Sequence, residues 1–218
     1  MIQASNDDAR SGAALPLLHE PAPEFHARTT VGERALADYR DRWLIFFAHP
    51  ADFTPVCTSE FIAFAEAYGR FQAIGCDLLG LSVDSLFAHI AWLDSIERSF
   101  GVRVPFPIVE DPSMAIARAY GMLHPSANGS ATVRASFVID PAGIIRAITW
   151  YPMSVGRSVE EMLRLVTALQ TSDVQEVFTP EGWQPGDPVL VPPALTLPAA
   201  SPENGGDAWY YRKARLDG

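Results

Sequence analysis

Cys57 is the residue of this chain best placed for chemistry, because of what stands just before it. The run His49–Pro50–Ala51–Asp52–Phe53–Thr54–Pro55–Val56–Cys57–Thr58–Ser59–Glu60 follows an apolar stretch, Trp43–Ala48, and leads into a helical repeat of Phe61, Phe64, Ala65 and Tyr68. Thr54–Pro55 reads as a helix start. Threonine can accept from free first-turn N–H groups, and proline, which has no N–H to leave unpaired, suits the first helical position. Cys57 is then expected in the first turn, where exposed N–H groups and the positive end of the helix dipole favour an anion. The thiolate is the nucleophile, and an unperturbed thiol, with a pKa of about 8.5, is only a few per cent ionised at neutral pH. Making it mostly thiolate calls for about 2.7 kcal/mol of differential stabilisation. A helix end supplies about 0.3–1 kcal/mol, up to about 2 when partly buried. A cation from elsewhere in the chain is required.

Trp43–Ala48 is continuously apolar, as a strand covered on both faces would be. The helix from Thr54 is expected to reach about Ile74, and Leu78–Val83 reads as a second buried strand. Together they form a βαβ unit with parallel strands. Asp84–Ser85 opens a second helix with Leu86, Ile90, Leu93, Ile96 and Phe100 on one face, stopped by Gly101. Pro105 and Pro107 assign the next strand to an edge. A short helix spans Ser113 to Ala119. Val133–Ile139 and Ile144–Trp150 read as a hairpin around Asp140–Pro141–Ala142–Gly143, and Ser158 with Glu161 as a capping box for a last helix. Residues 19–42, with Pro21, Pro23 and Gly32, suggest short strands and turns. The fold class is α/β: a mixed central sheet with helices on both faces, plus a small C-terminal module.

Three parts are expected: a flexible tail over 1–18, the main domain over 19–170, and a proline-rich module over 171–218. Seven of the eighteen prolines fall in the last part, with Gly205 and Gly206. Its Trp183, Trp209, Tyr210 and Tyr211 argue for packing against the main domain or a partner subunit. A net charge of −10 with a pI near 4.9 argues against nucleic acid and anionic membrane as partners. No apolar run reaches membrane-spanning length, and the N-terminus lacks the layout of a secretory leader. Two cysteines, without Cys-x-x-Cys or a His/Cys cluster at ligand spacing, argue against a disulfide scaffold or a zinc site. A reducing cytosol is the expected compartment. Asn128–Gly129–Ser130 reads as a turn. Cys76, His19, His26, His89 and His124 are expected to be structural or on the surface.

Pro50–x–x–x–Thr54–x–x–Cys57 with Glu60 resembles the active-site signature of the peroxiredoxins, and the longer string from His49 to Thr58 is similar to their one-Cys subgroup. Arg134 ahead of Phe137–Val138–Ile139–Asp140–Pro141, Tyr151–Pro152 with Gly156–Arg157, and Trp183–x–x–Gly186–Asp187 match the family in the same order, from about residue 19 to the end. The resemblance implies a thioredoxin-like fold that reduces hydrogen peroxide and small organic hydroperoxides, with no metal or organic cofactor. Cys57 would attack the peroxide and become a sulfenic acid. Arg134 would supply the missing cation, and the Thr54 hydroxyl would bond the sulfur or the peroxide. Pro50 would shield the pocket, Glu60 would orient an arginine, and His49 and Arg157 would flank the site. His49 reads equally as a pocket residue or a core histidine. The implied partners are an external reductant (a small thiol, or a protein of thioredoxin or glutaredoxin type) and a second copy, as homodimer or higher oligomer. A different class of function is a redox-sensing or chaperone-like interaction protein switched by Cys57 oxidation. Some one-Cys relatives carry a lipase-type serine before the Trp43 strand; here that place reads Arg40–Asp41–Arg42, without one.

Overall fold

The computed structural model describes residues 15–123, 131–193, 195–196 and 208–216. The expected tail up to residue 14, His124, the Asn128–Gly129 turn and Gly205–Gly206 lie outside the described residues. The elements in order are β1 (His26–Thr29), β2 (Gly32–Ala35), a 3₁₀ turn (Leu36–Tyr39), β3 (Trp43–Ala48), α1 (Pro55–Ala73), β4 (Cys76–Ser82), α2 (Leu86–Phe100), β5 (Ile108–Glu110), α3 (Ala115–Ala119), β6 (Arg134–Ile139), β7 (Ile145–Tyr151), α4 (Val159–Gln175), β8 (Val189–Val191) and β9 (Arg212–Ala214). Seven strands form one mixed sheet in the order β2-β1-β5-β4-β3-β6-β7, and β8 pairs with β9 in a separate ribbon.

Alternation along β3 explains its unbroken apolar run. Trp43, Ile45 and Phe47 belong to a core built with α1, α2 and α4. Leu44, Phe46 and Ala48 belong to a second core that includes Ala117 of α3, Tyr120 and Phe137. With helices on both faces, neither side of the strand can be polar. β4 runs parallel to β3 across the α1 crossover, as expected, and begins at Cys76, two residues earlier than the apolar run suggests. The hairpin of β6 and β7 is also as expected, with β6 antiparallel to β3.

Three expectations are overturned. β5 is not an edge strand: it pairs with β4 on one side and β1 on the other. Pro105 and Pro107 both precede it, so no ladder N–H inside its three residues is missing. The buried face of α2 carries His89, Trp92 and Ile96, while Ile90 and Phe100 are exposed and Leu86 and Leu93 only partly covered. The helix is rotated from the expected apolar stripe because a histidine and a tryptophan are buried in place of Ile90 and Phe100. Its ends are as expected, with Ser85 Oγ accepting from the Ala88 N–H and Gly101 in the left-handed conformation. In α4, Ser158 Oγ accepts from the Glu161 N–H, but the Glu161 carboxylate bonds Arg164 instead of closing the box.

Beyond α4, which passes through residue 170, Trp183 buries its ring against Ala168 and Val189 and donates its indole N–H to the Asp187 carbonyl. One aromatic anchor thus holds this segment against α4. Tyr210 and Tyr211 are exposed.

α1 lies close on the sheet because Gly80 of β4 has no side chain. A Cβ placed there would stand 3.3 Å from Phe61 Cζ, and Phe61 is itself held by Phe47, Trp92, His49 and Phe106. Gly80→Ala is therefore expected to cost about 1–3 kcal/mol through overpacking, read as a lower urea midpoint. An unchanged midpoint would show that Phe61 can move aside.

Candidate active site

The topology brings Cys57 and Arg134 together. The last β3–β6 pair is Phe47 with Ser136, so the antiparallel strand begins, at Arg134, beside the end of β3, where the chain turns into α1. Cys57 lies in the first turn of α1, and Arg134 points to the same side of the sheet as Val138, toward the α1 core.

Arg134 is buried and fully engaged. Its Nη1 donates to Cys57 Sγ at 3.3 Å and to Glu60 Oε2 at 2.7 Å. Nε and Nη2 donate to the Met153 carbonyl at 3.0 and 2.8 Å, which fixes the plane of the guanidinium. Glu60, one turn after Cys57, also binds Arg157: the Arg157 backbone N–H and Nε donate to Oε1 at 2.7 and 2.9 Å, and Nη2 to Oε2 at 2.8 Å. Arg157 Nη1 donates to the Ala135 carbonyl and Ser136 Oγ, and its guanidinium lies over the Phe47 ring. Burial pushes the Glu60 carboxyl up, but the hydrogen bonds and charge of Arg157, with the charge of Arg134, outweigh it and hold the group below its ordinary value. The expectation that Glu60 orients an arginine matches this geometry; it orients two. Arg157 reaches the sulfur only through Glu60.

Thr54 stands at the N-cap with Pro55 at the first helical position, but its side chain caps no N–H. Its hydroxyl donates to the Ala51 carbonyl at 2.8 Å, so in this structure it ties the loop and does not bond the sulfur. Among the described residues the only hydrogen-bond partner of Sγ is Arg134. Pro50 is buried in the same loop. Cys76 stands apart at the start of β4, its thiol pushed up to about 12, first by burial and then by the charge of Asp77.

His49 proves to be a core histidine. It is fully buried, stacks on Trp92 and meets Phe61 edge-on. Its Nε2 lies 2.8 Å from Asp52 Oδ1, and His89 Nδ1 lies 2.7 Å from Asp52 Oδ2. Sequence reasoning missed this group. The signal was the His49-x-x-Asp52 spacing together with the His89–Trp92–Ile96 stripe. Burial pushes the Asp52 carboxyl up, but the bonds from His49 and His89 prevail and hold it below its ordinary value. Asp52 is thus an acceptor only, and both ring nitrogens facing it are N–H donors. The three offer ligand-type atoms within 4.8 Å of one another, the kind of cluster the sequence did not reveal. A metal at the inner nitrogens would make the outer ones donors, yet among the described residues His49 Nδ1 and His89 Nε2 are buried with no partner to receive a proton. The hydrogen-bonded triad fits these surroundings better than a metal centre does.

A model of the AhpC/TSA family matches residues 18–148, and one for the C-terminal domain of 1-Cys peroxiredoxin matches 168–202. Peroxiredoxin 2 of Caldanaerobacter subterraneus is 48% identical over 184 residues, covering 84% of this chain and 83% of its own. A peroxiredoxin of Aquifex aeolicus is 48% identical over 194 residues, 84% of this chain and 87% of its own. Among solved structures, a yeast mitochondrial 1-Cys peroxiredoxin, studied for its thiol resolution by glutathione and thioredoxin systems, superposes with a TM-score of 0.82 at 39% identity. It covers 93% of this chain and 100% of that one. Peroxiredoxin 6 of Arenicola marina gives 0.81 at 32% identity, covering 91% and 97%.

Burial holds His49 below its ordinary pKa, against its bond to Asp52. The unfolded chain therefore binds a proton near pH 6.5 that the folded chain refuses. The stability His49 confers is complete above that pH and is lost as pH falls below it. Denaturant midpoints are expected to drop from pH 7 to pH 5 more steeply in the parent than in His49→Gln. Parallel profiles would show that His49 accepts the proton in place.

Proposed function

The chain belongs to the peroxiredoxin family, in its one-Cys subgroup, and so to the thiol-dependent peroxidases; on that premise we propose that Cys57 is the sulfur that reduces peroxide and that an external thiol regenerates it. The observation that carries the reading is the contact of Arg134 with both Cys57 and Glu60. Two buried guanidiniums face one carboxylate, and a thiolate completes the balance of charge that a buried cluster needs.

Cys57 thiolate attacks the outer oxygen of the hydroperoxide. The S–O bond forms as the O–O bond breaks, and the departing alkoxide or hydroxide takes up a proton as alcohol or water. Arg134, fixed by the Met153 carbonyl, supports the negative charge as it moves from sulfur to leaving oxygen, a contact that strengthens in the transition state. Thr54, freed from capping, keeps lone pairs that can accept from a peroxide O–H, and Pro50 and Glu60 keep the surroundings dry and aligned. The sulfenic acid then loses water to an incoming thiol, forming a mixed disulfide that a second thiol cleaves. The reductant is a small thiol or a thioredoxin-type protein, and hydrogen peroxide and small organic hydroperoxides are the substrates. Catalytic turnover with excess thiol separates this reading from a redox sensor, which is oxidised once. The homodimer has an available edge: β7 ends the sheet, and Trp150, Met153 and Val155 are exposed beside it.

Cys57→Ser is expected to abolish peroxide reduction and Cys76→Ser to leave it nearly intact. With graded peroxide and no thiol, intact-mass spectra should show added oxygens on Cys57 and no Cys57–Cys76 link, since Cys76 is held in an interior strand. A quantitative disulfide would refute the need for an external thiol.

Arg134→Met should slow peroxide reduction by about 10²–10³-fold in stopped-flow traces, the scale of losing one oriented transition-state donor. A rate equal to the parent's would remove Arg134 from the site and make Arg157 the next candidate.

A further inference from the structure

The loop between β3 and α1 carries a bulky residue in a conformation it disfavours. Phe53 has φ 56°, in the left-handed region, and is 59% exposed, so packing alone does not hold it there. A strained non-glycine residue persists only where its surroundings over-determine it. Those surroundings are polar. Asp52 receives hydrogen bonds from His49 on its own loop and from His89 on α2. Its backbone N–H donates to Asp84 Oδ2 at 2.9 Å, an oxygen that also accepts from Ser82 Oγ at the end of β4. The Thr132 hydroxyl donates to the His49 carbonyl. His49, Asp52 and His89 are all buried. Among the described residues two helix side chains bond this loop: the Thr58 hydroxyl of α1, the helix the loop itself enters, donates to the Thr54 carbonyl, and His89 reaches Asp52 from α2.

We infer that His89 is a positioning residue for the peroxide reaction: through Asp52 it holds the loop 49–54 in its strained form, and so sets where Thr54 and the first turn with Cys57 stand against Arg134. This rests on the assignment of Cys57 as the reacting sulfur. His89 touches neither the sulfur nor Arg134; it acts through the carboxylate. Small displacements of a reacting group are costly to rate even when their cause is remote.

The test uses the atom each histidine presents. His89 bonds through Nδ1, whose place the asparagine amide can take, whereas leucine fills the volume but donates nothing. His89→Leu is expected to lose about 10- to 100-fold in peroxide-reduction rate, and His89→Asn to stay within about 3-fold of the parent. A residue that serves only to pack would show the reverse order, with leucine the better replacement, and rates would follow thermal midpoints. Phe53→Gly, which accepts positive φ without strain, should recover part of the rate lost in His89→Leu. Leucine at the parent rate, or no recovery with glycine at 53, overturns the inference. Backbone amide exchange over 51–56 should be faster in His89→Leu than in His89→Asn, and equal exchange also overturns it. That measurement does not depend on which sulfur reacts. Turnover surviving in Cys57→Ser would sink the Cys57 assignment, and with it the link to rate, while amide exchange would still judge the clasp itself.

Discussion

The site depends on one carboxylate placed between two buried guanidiniums. Glu60 joins α1 to β6 through Arg134, and α1 to the segment entering α4 through Arg157. Each ion would be expensive to bury alone, and removing the shared partner of such a cluster leaves uncompensated charge at a cost of about 3–5 kcal/mol. The cluster is therefore as much a constraint on the fold as a part of the chemistry. It requires α1, β6 and the start of α4 to meet at one point. That point lies one helical turn from Cys57.

Geometry gives the cluster its direction. Arg157 spends its donors on Glu60, Ala135 and Ser136, which leaves Arg134 as the cation that reaches the sulfur. The Met153 carbonyl takes two of Arg134's donors, so the guanidinium cannot turn away. Orientation is thus set by neutral oxygens and charge by Glu60. A donor held this way needs no reorganisation when charge shifts during reaction.

Much of this was legible in the sequence for reasons that can be stated. β3 could be read because burial on both faces removes every polar residue from a strand. The helix start at Thr54–Pro55 and the hairpin around Asp140 could be read because caps and turns depend on neighbours a few residues away. Arg134 became visible through the family resemblance, and the structure places it at the sulfur. What escaped was non-local or polar. The Asp52–His89 bond joins residues 37 positions apart, and a search for apolar periodicity passes over a buried histidine. Pro105 and Pro107 do not make β5 an edge, because proline forbids hydrogen bonds only at its own position and both lie before the strand. The Thr54 hydroxyl bonds the Ala51 carbonyl and caps nothing, because an N-cap position does not oblige its side chain to cap.

Cys76 has a consequence of its own. It opens β4, a strand with neighbours on both sides, and its thiol is fully buried and pushed up to about 12. Alkylating reagents need both access and thiolate, and the native chain offers neither at this position. Cys76 can be modified only in molecules whose central sheet has opened. Where closing outruns modification, the labelling rate is proportional to the population of that open form. The chain thus carries an intrinsic reporter of its own global unfolding, at a residue remote from the charge cluster and silent as long as the sheet stays shut.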